Sequence, residues 1–201
     1  ATFIWAAYQE NYRHITEDRP IRVAVPVNLR PYFDSITTKN FFVMVSAEFA
    51  PQKNEYTFAE ILTITKDSLR AQINKEHLEK IFSYNVSNEL MVVARAVPLF
   101  LKNLAMRLVY TQSALANTTT VTNIGNIKVE KVYEPYIQTV HSFLSFSKGQ
   151  SLKATITSYQ DTLVYTYTSA WQDTAIQRRV FRQIAQDGID VKIETNGVYY
   201  E

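Results

Sequence analysis

The sequence contains no cysteine. That excludes disulfides, thiolate nucleophiles and cysteine-based zinc sites, and it suits the reducing cytoplasm where this chain is expected to reside. Glycine is scarce as well, with four residues, at positions 125, 149, 188 and 197. None are clustered, so neither a phosphate-cradling P-loop nor a GxGxxG dinucleotide fingerprint can be built. Neither sign of charge dominates: 21 Lys and Arg against 19 Asp and Glu leave +2, without any basic block. Nucleic acid is therefore not an expected partner, because phosphate binding needs concentrated positive charge. Long uncharged apolar runs are missing too. Residues 90–110 come nearest, but Arg95, Lys102 and Arg107 would each cost about 2.5–3.5 kcal/mol near a bilayer centre, and Pro98 interrupts the helix. No membrane span is expected, and the stretch reads as a largely buried helix.

What is present describes an ordinary globular chain. Its 201 residues are 46% hydrophobic and 20% charged, which fits one domain burying roughly 70% of its unfolded surface. The chain opens at Ala1 on an apolar helical pattern, without the ordered parts of a signal peptide. It is expected to be a piece of a longer protein.

Phe3, Ile4, Ala7, Tyr8 and Tyr12 recur at helical spacing and predict a helix over residues 2–15. The valine-rich stretch 21–27 predicts a buried strand, ended by the turn before Pro31. Residues 41–49 alternate as a strand entering a covered sheet. Thr57 followed by Glu60 is a capping-box pattern, and Phe58, Ile61, Leu62, Leu69 and Ile73 mark the amphipathic helix it opens. Further strands are predicted at 118–124, 137–147, 152–159 and 162–169, the last two joined at Gln160-Asp161. Asp173 or Thr174 caps a helix carrying Ile176, Val180, Phe181 and Ile184, closed by Gly188. A final strand is predicted at 189–193. The fold class is α/β, a mixed-sheet layer sandwich spanning residues 1–201 as a single unit.

Local catalytic devices are few. The three histidines, His14, His77 and His141, have no zinc-ligand spacing, so no metal site is expected. His77 falls on a charged helix face and His141 in a strand. His14 and Asp18 spell HxxxD, a real acyl-transfer device, but they sit where a helix unravels among charged neighbours. A catalytic imidazole needs a cleft and a locked orientation, and the pair reads as a decoy. No GxSxG elbow occurs, and Glu17/Asp18 and Glu76/Glu79 are poorly placed for glycosidase acids.

Three motifs, in order, carry a resemblance. Val25-Pro26-Val27-Asn28-Leu29-Arg30-Pro31 is followed by Asn40-Phe41-Phe42, with Lys39 where glycine is common. Thr122-Asn123-Ile124-Gly125 follows, and then Tyr159-Gln160-Asp161-Thr162-Leu163 with Trp171-Gln172-Asp173 leading into the last helix. Together, over roughly residues 20–195, they resemble the C-terminal half of the chloramphenicol-acetyltransferase-like superfamily, which includes alcohol O-acetyltransferases and the condensation domains of nonribosomal peptide synthetases. The resemblance implies the C-terminal lobe of a two-lobed acyltransferase, acting on an acyl group delivered by acyl-CoA or by the acyl-pantetheine of a carrier protein. It implies that the catalytic histidine of an HHxxxD motif lies in an N-terminal lobe absent from this chain. No catalytic residue and no cofactor bound by this lobe alone are then expected here.

The same resemblance suggests tunnel-lining and substrate-binding candidates. Thr122, matching the motif serine, would offer a hydroxyl to the oxyanion. Asn123 and Gly125 would let the backbone approach the acyl chain or pantetheine. Asn28, Arg30 and Asn40 have two readings: contact with ligand or opposite lobe, or turn hydrogen bonding and a helix-end or surface ion pair; Phe42 is a further tunnel candidate. The 13 tyrosines and 11 phenylalanines line an acyl tunnel on one reading and fill a core on the other. A catalytically degenerate lobe that docks a partner or carrier domain is the alternative function. Without its other lobe, the chain is expected to expose apolar surface and to self-associate.

Overall fold

Alternating burial organises the sheet. Val43, Val45, Ala47 and Phe49 are all buried, as are Ile21 and Val23 beside them, so one face of each strand packs inward with the period of two that a pleated backbone imposes. The computed structural model describes residues 1–11, 15–53, 55–90, 97–147 and 149–196. Its elements in chain order are α1 (Thr2–Asn11), β1 (Ile21–Asn28), β2 (Phe42–Phe49), α2 (Phe58–Gln72), α3 (Lys75–Leu90), α4 (Leu99–Leu115), β3 (Thr119–Asn126), a 3₁₀ turn (Glu134–Tyr136), β4 (Leu152–Tyr159), β5 (Thr162–Ser169) and α5 (Ala175–Gln186).

The strands form a five-stranded mixed sheet in the order β2-β1-β3-β4-β5. β1 runs antiparallel to β2 and parallel to β3; β3 runs parallel to β4, and β4 antiparallel to β5. Helices α1, α2, α3 and α5 all lie on one face of this sheet. Ile4 and Tyr8 of α1 and Ile61 of α2 pack on Val23, Phe49 and Leu152. Leu78 of α3 packs on Leu29, Val43 and Val45. Tyr165 and Tyr167 of β5 meet Phe181 of α5 edge-on. Each fully buried Leu, Ile, Val or Phe here contributes about 1.5–3 kcal/mol.

Caps fix where the helices start and stop. The Thr57 hydroxyl accepts from the Glu60 N–H, and the Glu60 carboxylate accepts from the Thr57 N–H at 2.7 Å, completing a capping box. At α5 the Asp173 carboxylate accepts from the Ala175 N–H at 2.9 Å. Gly188, at φ +83° just past the helix end, takes the left-handed conformation that closes it.

The architecture is α/β with a mixed sheet, and five sequence expectations need correction. First, the opening helix is described over Thr2–Asn11 and Ile15 is not helical; residues 12–14, with Tyr12 and His14, lie outside the described residues. Second, β2 is not covered on both sides at its start, where Phe42 and Met44 are 49% and 43% exposed. Third, α4 is not buried. Leu99, Phe100, Leu104 and Leu108 are all largely exposed, because the four packed helices already cover the inner sheet face. Fourth, residues 137–147 have strand-like sequence but join no ladder. Fifth, the same holds for 189–193. β-propensity describes fit to a sheet, and neither segment pairs with a strand, although β5 is an outer strand of the sheet.

Candidate functional site

The neighbouring parallel strands β1 and β3 pair only at Val23/Thr119 and Ala24/Thr120. In β1 the even-numbered backbone groups face β3: the Arg22 carbonyl accepts from the Thr118 N–H at 2.8 Å, and the Arg22 N–H donates to the Thr118 hydroxyl at 3.1 Å. The next even donors would be Ala24 and then residue 26, which is Pro26 and has no N–H. The ladder stops there. On the other side β3 carries a bulge between Asn123 and Gly125, with Gly125 at φ +83°. A Cβ at Gly125 would meet nothing within 4 Å, so it is the backbone angle that calls for glycine. The result is a notch in the hydrogen bonding, an unpaired stretch toward the carboxyl ends of β1 and β3, the end of a parallel arrangement where open α/β sheets bind ligands.

The sequence candidates gather around this end of the sheet in two groups. Thr122 is half-buried and lies level with Thr155 of β4, and its hydroxyl makes no hydrogen bond among the described residues. Asn123 is exposed, and its carboxamide oxygen accepts from the Gly125 N–H at 2.9 Å, which stabilises the bulge.

Asn28, Arg30 and Phe42 form the second group, where β1 ends and β2 begins. The Asn28 carboxamide oxygen accepts from the Arg30 N–H at 3.1 Å and from its guanidinium at 3.3 Å. That guanidinium also donates to the Thr37 carbonyl at 3.0 Å and the Lys39 carbonyl at 2.8 Å. Asn28 and Arg30 thus hold the loop between β1 and β2 closed. Asn40 is exposed and its side chain has no hydrogen-bond partner among the described residues. Phe42 presents its ring on the face away from the helices. Of the decoy pair, His14 lies outside the described residues and Asp18 is exposed in a tight turn.

Sequence reasoning missed the hydroxyl face beside Thr122. Thr155, Thr157, Thr166 and Thr168 share the sheet face opposite the helices, as the β4–β5 register requires. Residues 139–146 run across them. The Thr157 hydroxyl donates to the Val140 carbonyl at 3.0 Å, Thr166 to the Ser142 carbonyl and Thr168 to the Leu144 carbonyl. Thr155 Oγ1 beneath this strap and Ser142 Oγ on it are buried without a hydrogen-bond partner among the described residues, a cost of about 1–3 kcal/mol each. The period-2 threonines were visible as strand residues, but nothing in the sequence showed that a second segment would cross them.

Among the described residues no three His, Asp or Glu side chains converge as metal ligands, and no helix is long and apolar enough to cross a membrane. The site therefore offers hydroxyls, a carboxamide and bulged backbone at a notch, with no titratable group on Thr122 to act as a base. Comparison with family models, with curated proteins and with solved structures finds no match for this chain.

Proposed function

We propose that this chain is the C-terminal lobe of an acyltransferase of the chloramphenicol-acetyltransferase-like type, moving an acyl group from CoA or a carrier thioester to an alcohol or amine. The carrying observation is the uncommitted hydroxyl of Thr122, on β3 just past the point where its ladder with β1 stops and level with Thr155. Attack on a thioester carbonyl develops an oxyanion, and a preorganised donor at that point stabilises the transition state more than the ground state. A histidine from the N-terminal lobe would remove the acceptor's proton. Asn28 and Arg30 act by shaping the wall next to the notch, through the loop they close.

The exposed apolar surface supports the same reading. Phe42 and Met44 on the open sheet face, together with the largely exposed α4, give the kind of apolar area that marks an interaction surface. On this reading the N-terminal lobe covers it. The test is release of free thiol from a panel of acyl-CoA and acyl-pantetheine donors by the longer protein containing this chain, with alcohol and amine acceptors. Turnover that needs both lobes supports the proposal. Binding of a carrier domain without any turnover would instead identify a degenerate docking lobe.

A further inference from the structure

The strap over the hydroxyl face has one occupied edge and one open edge. The carbonyls of Val140, Ser142 and Leu144 point to Thr157, Thr166 and Thr168. Thr166 and Thr168 stand two residues apart on a strand, so the carbonyls they hold have strand spacing and the strap is extended. The stacked rings of His141 and Phe143, two residues apart, agree with that. In an extended chain the N–H and C=O of one residue point the same way and those of its neighbours the opposite way. The main-chain groups of His141, Phe143 and Ser145 therefore point away from the sheet. No N–H of residues 138–146 has a partner among the described residues.

Such an edge is a template for another strand, and apart from the Glu194 carboxylate, which lies near His141, this one lacks the usual protection. Residues 137–147 contain no Lys, Arg, Asp, Glu or Pro, the residues that discourage edge pairing. Phe143 and Phe146 are 64% and 54% exposed, and Tyr133 and Tyr136 are exposed just upstream. The edge is also self-complementary. An antiparallel two-fold centred on Phe143 sets Phe143 opposite its own copy and His141 opposite Ser145. No like charges then face each other.

From this edge we infer that residues 138–146 form a dimer interface, in which two copies of this chain pair their straps antiparallel about Phe143 into a two-stranded ribbon. The three threonine anchors hold each strap extended beforehand, so little conformational entropy remains to be lost on pairing. This inference stands apart from the acyl-transfer reading.

Sedimentation equilibrium on this chain, its Phe143→Lys and Phe143→Glu variants, and an equal mixture of the two variants tests it. Because Phe143 is largely exposed, both variants should keep the wild-type circular dichroism, and the wild-type urea midpoint at dilutions where the wild type is also monomeric. The expected result is a wild-type dimer, a dissociation constant weakened at least about tenfold in each variant alone, and recovery in the mixture, where lysine meets glutamate. A wild-type chain that stays monomeric at every concentration overturns the inference. So does a dimer indifferent to both variants, which would place association at α4. Failure of the mixture to recover rules out the two-fold register. Protection of the 141, 143 and 145 amides from hydrogen exchange in a monomer would show that the chain's own residues fill the edge.

Discussion

The Gln72 carboxamide clasps the backbone of Ser46, accepting from its N–H at 3.2 Å and donating to its carbonyl at 2.8 Å. Ser46 lies on β2, an outer strand of the sheet, and these are the groups an edge strand would otherwise leave open. Ser68 supports the same function two residues on, its hydroxyl accepting from the Glu48 N–H at 3.4 Å. Helix α2 thus finishes the edge of β2 with side chains, an alternative to covering it with charge.

Replacing Gln72 by alanine should remove both bonds and leave the Ser46 groups to water or to another strand. The expected loss is about 1–3 kcal/mol, read from the shift in urea midpoint at unchanged slope. A conservative Gln72→Glu keeps the acceptor but loses the donor, and should recover only a fraction of the loss.

Arg30 makes its loop contacts with several nitrogens of one planar group, to the Thr37 and Lys39 carbonyls and the Asn28 carboxamide. A lysine cannot reproduce that fork. Arg30→Lys should cost about 1–2 kcal/mol and raise hydrogen exchange across residues 37–41, while Arg30→Ala should give a similar or larger loss. An Arg30→Lys protein as stable as wild type would show that the loop closes without the fork.

Acid should loosen the start of α2. The Lys53 ammonium bound to Glu60, with the backbone N–H and hydroxyl of Thr57, holds the Glu60 carboxyl at about 2, below its ordinary 4.5. A carboxylate with a lowered folded pKa stabilises above its unfolded value, and loses that contribution as pH falls toward the folded one. Amide protection factors at residues 57–61 should therefore fall between about pH 4.5 and 2, ahead of those in the sheet. In Thr57→Ala, which should cost about 0.5–2 kcal/mol, the acid sensitivity of that turn should shrink.

Segments whose own periodicity matched a partner nearby in the chain were legible in the sequence: β4 and β5 fall at the predicted residues, and Thr57 with Glu60 caps the predicted helix. Segments whose state depends on a distant partner were not. Residues 137–147 have the alternation of a strand, yet only hydroxyls from β4 and β5 hold them. Residues 99–115 are apolar enough to look buried, yet the inner sheet face was already filled by α1, α2, α3 and α5. At the site, Thr122, Asn123 and Gly125 were readable as a motif. The role of Pro26 in ending the β1–β3 ladder was not, because it required knowing that β3 is the neighbour of β1.

The acyl-transfer proposal rests on Thr122. The most direct measurement is thiol release from acyl-CoA by the longer protein containing this chain, comparing wild type, Thr122→Ser and Thr122→Val. If Thr122 donates to the oxyanion, Thr122→Ser should keep most of the turnover. Thr122→Val, of matching shape without the hydroxyl, should lower kcat by about 10²–10³ with little change in KM. Equal turnover in all three proteins would contradict the claim, as would a loss in Thr122→Val that appears only in KM.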